Sequence, residues 1–232
     1  MENKKVLFLC VILIIFIFGV GLYVFKLQKQ NNNIVIPELK IEQSNKTEKL
    51  NADYLLVQID KHHCLSADYT PSDLVSISNY NISTENNFKL RKVVINDLVA
   101  MVASAKKDGI DLKVISAYRT YQDQKRTYNS WVSQLGEKEA GRQSAPAGCS
   151  QHELGTAVDF NELSISFSNT PAGIWLSKNA WQYGWVISYP INSENVTGYI
   201  YEPWHYRYIG IKNAEELKKS GLILSDFLNI KK

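Results

Sequence analysis

The stretch Ser150-Gln151-His152-Glu153-Leu154-Gly155-Thr156-Ala157-Val158-Asp159, taken with Glu202-Pro203-Trp204-His205 downstream, decides how this chain is read. The two segments hold two of the four histidines, together with one aspartate and two glutamates. Two imidazoles, one carboxylate ligand and one spare carboxylate are the set a catalytic zinc site needs, with three protein ligands and a fourth position left to water. His152, Asp159 and His205 are the candidate ligands of a Zn2+ ion, and the pattern points to a metal-dependent hydrolase.

Spacing supports convergence only if the backbone bends. On an unbroken strand, residues seven apart face opposite ways. Gly155 permits a sharp turn between His152, on a loop, and Asp159, on a following strand. Glu202 and His205 raise the same parity problem, and Pro203 makes a bend or bulge there plausible. A zinc ion held by two neutral imidazoles and one carboxylate keeps a net positive charge, lowers the pKa of bound water towards ~7 and polarises a carbonyl. Glu202 is then the candidate general base for that water.

Other hydrolytic signatures fail. A His-Glu-x-x-His helix would need a second histidine where Thr156 stands, and Gly155 interrupts any helix there, so Glu153 is read as non-catalytic. Ser104-Ala105-Lys106-Lys107 fits Ser-x-x-Lys, but the Ser-Asp-Asn and Lys-Thr-Gly elements of penicillin-binding serine enzymes are absent. His62 and His63 sit on a polar stretch and are read as non-ligands.

The chain has 232 residues, 45% of them hydrophobic, enough for one substantial core. A net charge of +3 gives no basis for nucleic-acid binding. Val6 to Phe25 is an apolar run flanked by Lys4, Lys5, Lys26 and Lys29, of the length that crosses a bilayer, and it lacks a small-residue cleavage site. Residues 1–26 are therefore expected to be a single-pass membrane anchor, with 27–52, rich in Asn, Gln, Lys and Glu, a flexible tether. The folded domain is placed at 53–232, outside the cytoplasm. Cys64 and Cys149 could pair there, where disulfides persist; no Cys-x-x-Cys spacing marks them as zinc ligands.

Within the domain, Tyr54–Val57 reads as a first strand and Asn96–Asp108 as a helix with Leu98, Met101, Val102 and Ala105 on one face. Leu112–Ser116 alternates as a strand; Thr120 with Asp123 forms a capping box for a helix running to Gly136; Ser144–Cys149 is loop. Thr156–Phe160 is a strand with Ala157 and Asp159 on one face. Thr170-Pro171 opens a helix closed by Gly184, Trp185–Tyr189 and Tyr199–Tyr201 read as strands, and Asn213 with Glu216 begins a last helix. This mixture suggests an α+β domain. Arg119, at a strand–helix junction, is either a surface arginine paired with a nearby acid or a guanidinium for a substrate carboxylate or developing oxyanion.

Three ordered motifs give a resemblance. Ser116-Ala117-Tyr118-Arg119-Thr120-Tyr121-Gln122-Asp123-Gln124, Ser150 to Asp159 and Glu202 to His205 are similar to the S-[GA]-Y-R-[ST]-Y-x-x-Q, S-x-H-x-x-G-x-A-x-D and E-P-W-H motifs of VanY-type D-alanyl-D-alanine carboxypeptidases, from about Asp53 to near Gly210. The resemblance implies an α+β fold of the hedgehog and D-Ala-D-Ala peptidase type, a small antiparallel sheet flanked by helices. It implies His152, Asp159 and His205 as zinc ligands, Glu202 as base and Arg119 as the transition-state or substrate-carboxylate contact. Ser150 and Gln124 then fall at positions for substrate placement and local structure, and Trp204 either shapes the cleft or is a core aromatic.

The implied activity is removal of the C-terminal D-alanine from peptidoglycan stem pentapeptides or precursors ending in D-Ala, chemistry that favours glycopeptide resistance in cells making D-Ala-D-lactate termini. L,D-carboxypeptidase or peptidoglycan endopeptidase action, or a non-catalytic zinc-stabilised wall-binding module, are the alternatives on the same fold.

Overall fold

The computed structural model describes residues 55–231. The membrane anchor and tether expected at 1–26 and 27–52, and the first residues of the expected domain, lie outside these residues. Among the described residues no helix is long and apolar enough to cross a membrane.

In chain order the elements are β1 (Leu74–Ser76), β2 (Ser83–Thr84), β3 (Lys89–Arg91), α1 (Ile95–Lys107), β4 (Lys113–Ser116), α2 (Tyr121–Leu135), α3 (Glu137–Gln143), β5 (Ala157–Phe160), α4 (Pro171–Asn179), β6 (Trp185–Ile187), the single turn α5 (Glu194–Thr197), β7 (His205–Tyr208), α6 (Ile211–Ser220) and α7 (Leu224–Ile230). Five strands form one sheet in the order β2-β4-β5-β7-β6; only the β2–β4 edge pair is parallel. β1 and β3 make a separate antiparallel pair. The expected α+β architecture is present, with one parallel edge added to the antiparallel sheet.

Strand alternation explains why the sheet has two unlike faces. Val158 and Phe160 of β5 and Tyr206 and Tyr208 of β7 point into the main core, where they meet Leu98, Met101 and Ala105 of α1 and Trp175 and Leu176 of α4. The intervening residues, Ala157, Asp159, His205 and Arg207, face the other way and are also buried. Registers pair Ser116 with Asp159 and Asp159 with His205. A serine, an aspartate and a histidine therefore stand in one row across β4, β5 and β7.

Helix ends follow local chemistry. The Thr120 hydroxyl accepts the Asp123 N–H at 3.1 Å and the Asp123 carboxylate accepts the Thr120 N–H at 3.4 Å, the reciprocal cap expected for α2. Thr170 caps α4 ahead of Pro171, which takes the first-turn position where a missing N–H costs nothing. α3 was not anticipated, because its Glu-Lys-Glu-Ala-Gly-Arg-Gln sequence has a single buried residue, Ala140.

Four sequence expectations need correction. Leu55–Val57 is a turn and irregular chain, its Leu55 and Val57 carbonyls taken by the Arg207 guanidinium at 3.0 and 2.5 Å. Tyr199–Tyr201 is not a strand, since the Ile200 N–H goes to the Arg142 carbonyl of α3 rather than to a neighbouring strand. The pairing strand in that region is β7, beginning at His205. β6 stops at Ile187, and the last helix starts at Ile211 and is followed, after Gly221, by α7.

Cys64 and Cys149 are bonded. The bridge closes 85 residues of sequence separation and fastens the 60–65 loop to the segment entering Ser150, where the Leu65 N–H also donates to the Gly148 carbonyl at 2.8 Å. Replacing both cysteines with serine is expected to lower unfolding stability by about 2–4 kcal/mol, chiefly by releasing the unfolded chain. Denaturant titration checks this; a loss below about 0.5 kcal/mol would show that the loop is held without the bridge.

Candidate active site

Ser150 to Asp159 folds as a short 3-10 turn, Gln151–Leu154, then Gly155, then β5. Ser150 caps the turn: its hydroxyl accepts the His152 N–H at 3.3 Å, and Glu153 reaches back to the Ser150 N–H at 3.3 Å. Both Glu153 oxygens also accept the Gly148 N–H, at 3.0 and 2.9 Å. Glu153 is thus committed to shaping this loop, and burial pushes its carboxyl up to about 7.

Gly155 has φ +67°, and a Cβ there would come within 3.0 Å of Arg91 Cγ and 3.1 Å of Leu74 Cδ2. The positive φ calls for glycine, and a Cβ would in addition crowd the Arg91 and Leu74 side chains. The turn sets His152 beside the start of β5, so that the parity problem disappears. At the second motif, Glu202 lies in the turn before β7, with the His205 N–H donating to the Glu202 carbonyl at 3.2 Å. Glu202 is off the strand, which frees it to point to the same side as His205.

The result is a tight polar cluster. His152 Nε2 lies 3.2 Å from Asp159 Oδ2, and His205 Nδ1 lies 3.0 Å from Asp159 Oδ1. Ligand atoms of the three residues fall within 4.8 Å of one another, and all three residues are buried. His152 Nδ1 is 2.7 Å from the Ala117 carbonyl, an acceptor that fixes the ring with Nε2 facing the cluster. The donor set of two imidazole nitrogens and a carboxylate oxygen fits zinc. His62 and His63 lie elsewhere, their backbone N–H groups donating to Asp60.

Electrostatics separate the two carboxylates. Burial alone would raise the Asp159 carboxyl, but His152 and His205 hold it well below the usual range. Glu202, with Oε2 3.9 Å from His205 Nδ1, is pushed well above the usual range by burial and then by the Asp159 charge. One carboxylate is fixed as an anion and the other takes up a proton readily, the division that acid–base chemistry requires. Burial, and then the Arg119 charge, draw the His152 imidazole down to about 4, keeping it neutral as a ligand must be.

Arg119 is held rather than free. Its Nε and Nη2 donate to Ser116 Oγ at 3.2 and 2.7 Å, Nη1 to Gln124 Oε1 at 3.0 Å and Nη2 to Asp159 Oδ2 at 3.3 Å. Four of the five guanidinium N–H groups are thereby directed, and one on Nη1 has no partner among the described residues. Gln124 is in turn fixed by its Nε2 donating to the Ala145 carbonyl at 2.7 Å. The surface-arginine reading of Arg119 does not describe this geometry.

Arg119, Gln124, Ser150, Glu202 and Trp204 line an open cleft with the three clustered residues, although Trp204 also packs against the main core. Sequence reasoning missed other lining residues: Trp131 of α2, Leu163, Tyr189 and Tyr199. The Tyr189 ring lies tilted beside His205, with ring centroids 5.1 Å apart. Aromatic residues of this kind read as core from sequence, and nothing local distinguished them.

The family model described as D-alanyl-D-alanine carboxypeptidase (VanY) matches residues 87–211, more than half of the chain. The chain belongs to this VanY family. It is 37% identical over 186 residues to the Bacillus subtilis protein YodJ, covering 76% of this chain and 68% of that one. Against the other curated relatives it matches, it spans 52–66% of their lengths. Among solved structures, the LdcB LD-carboxypeptidase superposes with a TM-score of 0.71 at 35% identity, covering 77% of this chain and 87% of that one. The vancomycin resistance D,D-pentapeptidase VanY of a VanB-type cassette, in complex with Zn(II), superposes with a TM-score of 0.65 at 27% identity, covering 75% and 98%.

Zinc at a hundred times its dissociation constant is expected to stabilise the protein by about 2.7 kcal/mol, and Asp159→Asn to abolish that gain. Thermal unfolding with and without zinc reads both; an equal shift in Asp159→Asn would remove Asp159 from the ligand set.

Proposed function

We propose that this chain is a zinc-dependent D,D-carboxypeptidase that removes the C-terminal D-alanine from peptidoglycan stem pentapeptides. The observation that carries the reading is the buried His152–Asp159–His205 cluster opening on a cleft beside Glu202 and Arg119. His152, Asp159 and His205 would hold the zinc ion, which when bound would supply Lewis-acid polarisation of a carbonyl and acidify water.

The chain's own residues do the rest. Glu202 Oε2 takes the proton of the attacking water and passes it to the leaving amine nitrogen, a role suited to a buried carboxylate with a raised proton affinity. The unpaired Nη1 hydrogen of Arg119 makes a single-point contact to the developing oxyanion or the substrate carboxylate; two-point clamping would need donors already engaged by Ser116, Gln124 and Asp159. Ser116 and Gln124 aim that group, and Ser150 acts through the turn that carries His152. Trp204 forms part of the cleft wall.

We place the domain outside the cytoplasm, tethered to the membrane by the apolar segment near the N-terminus. The Cys64–Cys149 bridge supports this, since such bonds persist in oxidising compartments. Trimming of D-Ala-D-Ala termini there would favour glycopeptide resistance in cells whose precursors end in D-Ala-D-lactate.

One observation favours a second reading: the likeness to LdcB, an LD-carboxypeptidase, makes cleavage of tetrapeptides the alternative. Zinc-loaded protein offered pentapeptide and tetrapeptide stems separately, with products read by mass spectrometry, separates the two. Loss of one alanine from the pentapeptide alone is the expected result, and cleavage confined to the tetrapeptide would move the assignment to L,D specificity. Glu202→Gln is expected to lower kcat by about 10²–10⁴-fold while zinc remains bound. Undiminished turnover in that variant would remove Glu202 from proton transfer.

A further inference from the structure

Gln151 belongs to the turn that carries His152, yet its side chain turns towards the other histidine. The residue is 5% exposed. Its Oε1 accepts the Ser188 hydroxyl at 2.6 Å and lies 3.1 Å from His205 Nε2. The other nitrogen of that ring, Nδ1, is the one beside Asp159 Oδ1 and Glu202 Oε2. A ring that offers a lone pair at Nδ1 carries its proton on Nε2, and a buried N–H needs an acceptor. Among the described residues Gln151 Oε1 is the acceptor in reach of that nitrogen.

His152 shows the same arrangement with its nitrogens exchanged. Its Nδ1 proton is held by the Ala117 carbonyl and its Nε2 faces the cluster. A backbone carbonyl can only accept, so the His152 tautomer is set by the main chain. At His205 a side-chain amide has that task. The opposite amide orientation would turn NH2 towards Nε2 and force the ring proton onto Nδ1, against a bound cation.

We propose that Gln151 is a positioning residue that keeps the His205 proton on Nε2 and so presents the Nδ1 lone pair to the metal. It acts through His205 and does not touch substrate. Ser188, at the end of β6, steadies the amide from behind. The inference rests on the zinc reading above.

The test uses the full chain, with zinc affinity measured by competition with a chromophoric chelator and the ligand field read from the absorption of the cobalt(II)-substituted protein. Gln151→Met keeps bulk but removes the acceptor, and is expected to weaken zinc binding by about 10–100-fold and alter the cobalt spectrum. Gln151→Glu keeps an acceptor and is expected to bind at least as tightly as the parent. Ser188→Ala, which leaves the acceptor in place, is expected to change affinity far less than Gln151→Met.

Parental affinity and spectrum in Gln151→Met would overturn the proposal. If that variant fails to fold, nitrogen-15 correlation spectra of the zinc-loaded parent decide: a protonated Nε2 on His205 supports the assignment, and a deprotonated Nε2 contradicts it. A parent chain that binds no zinc, or a His152→Ala variant that binds it as tightly, would instead sink the metal reading itself.

Discussion

Asp159 is the group on which the rest of this structure depends. A carboxylate at 2% exposure carries a desolvation cost of several kcal/mol unless its oxygens are well compensated. Here one oxygen lies beside His205 and the other beside His152 and the Arg119 guanidinium, which donates to it; with both imidazoles presenting lone pairs, a cation among the three ligand atoms would supply the remaining compensation. Losing Arg119, or an imidazole needed to hold the cation, would leave a buried charge undercompensated. That explains why residues scattered from position 119 to 205 must be brought to one point, and why the fold is organised to do so.

The sheet supplies the alignment. Ser116, Asp159 and His205 occupy one row of cross-strand positions on β4, β5 and β7, so strand registry sets their spacing. The opposite face of the same strands buries Val158, Phe160, Tyr206 and Tyr208, and a one-residue slip would exchange polar and apolar faces. Core packing therefore locks the register that the site needs. The remaining two members arrive from outside the sheet: His152 on the turn braced by Glu153 and the disulfide, and Glu202 in the turn before β7. Nearby loops are fixed by polar contacts, among them the Gln151–Ser188 and Gln124–Ala145 hydrogen bonds.

Much of this was legible in the sequence because the decisive features are local. The Ser150 to Asp159 motif holds its own cap, its own turn glycine and two members of the cluster. Thr120 and Asp123 likewise announce α2 within four residues. What was hidden depends on distant partners. Residues 55–57 look like a strand but dock as irregular chain whose carbonyls are claimed by Arg207, some 150 positions away. β7 was missed although His205-Tyr206-Arg207-Tyr208 alternates as a strand does, because the strand was placed a few residues early, at Tyr199–Tyr201; both faces of β7 are buried. Gln151 occupies a variable position of its motif, and only the fold shows that its amide meets His205.

The most direct test of this account is a crystal of the zinc-loaded protein examined by anomalous diffraction on either side of the zinc absorption edge. The account predicts one peak, bounded by His152 Nε2, the Asp159 carboxylate and His205 Nδ1, with Glu202 beside it but not ligating. A peak elsewhere in the molecule, or one bound through Glu202 in place of Asp159, would contradict it.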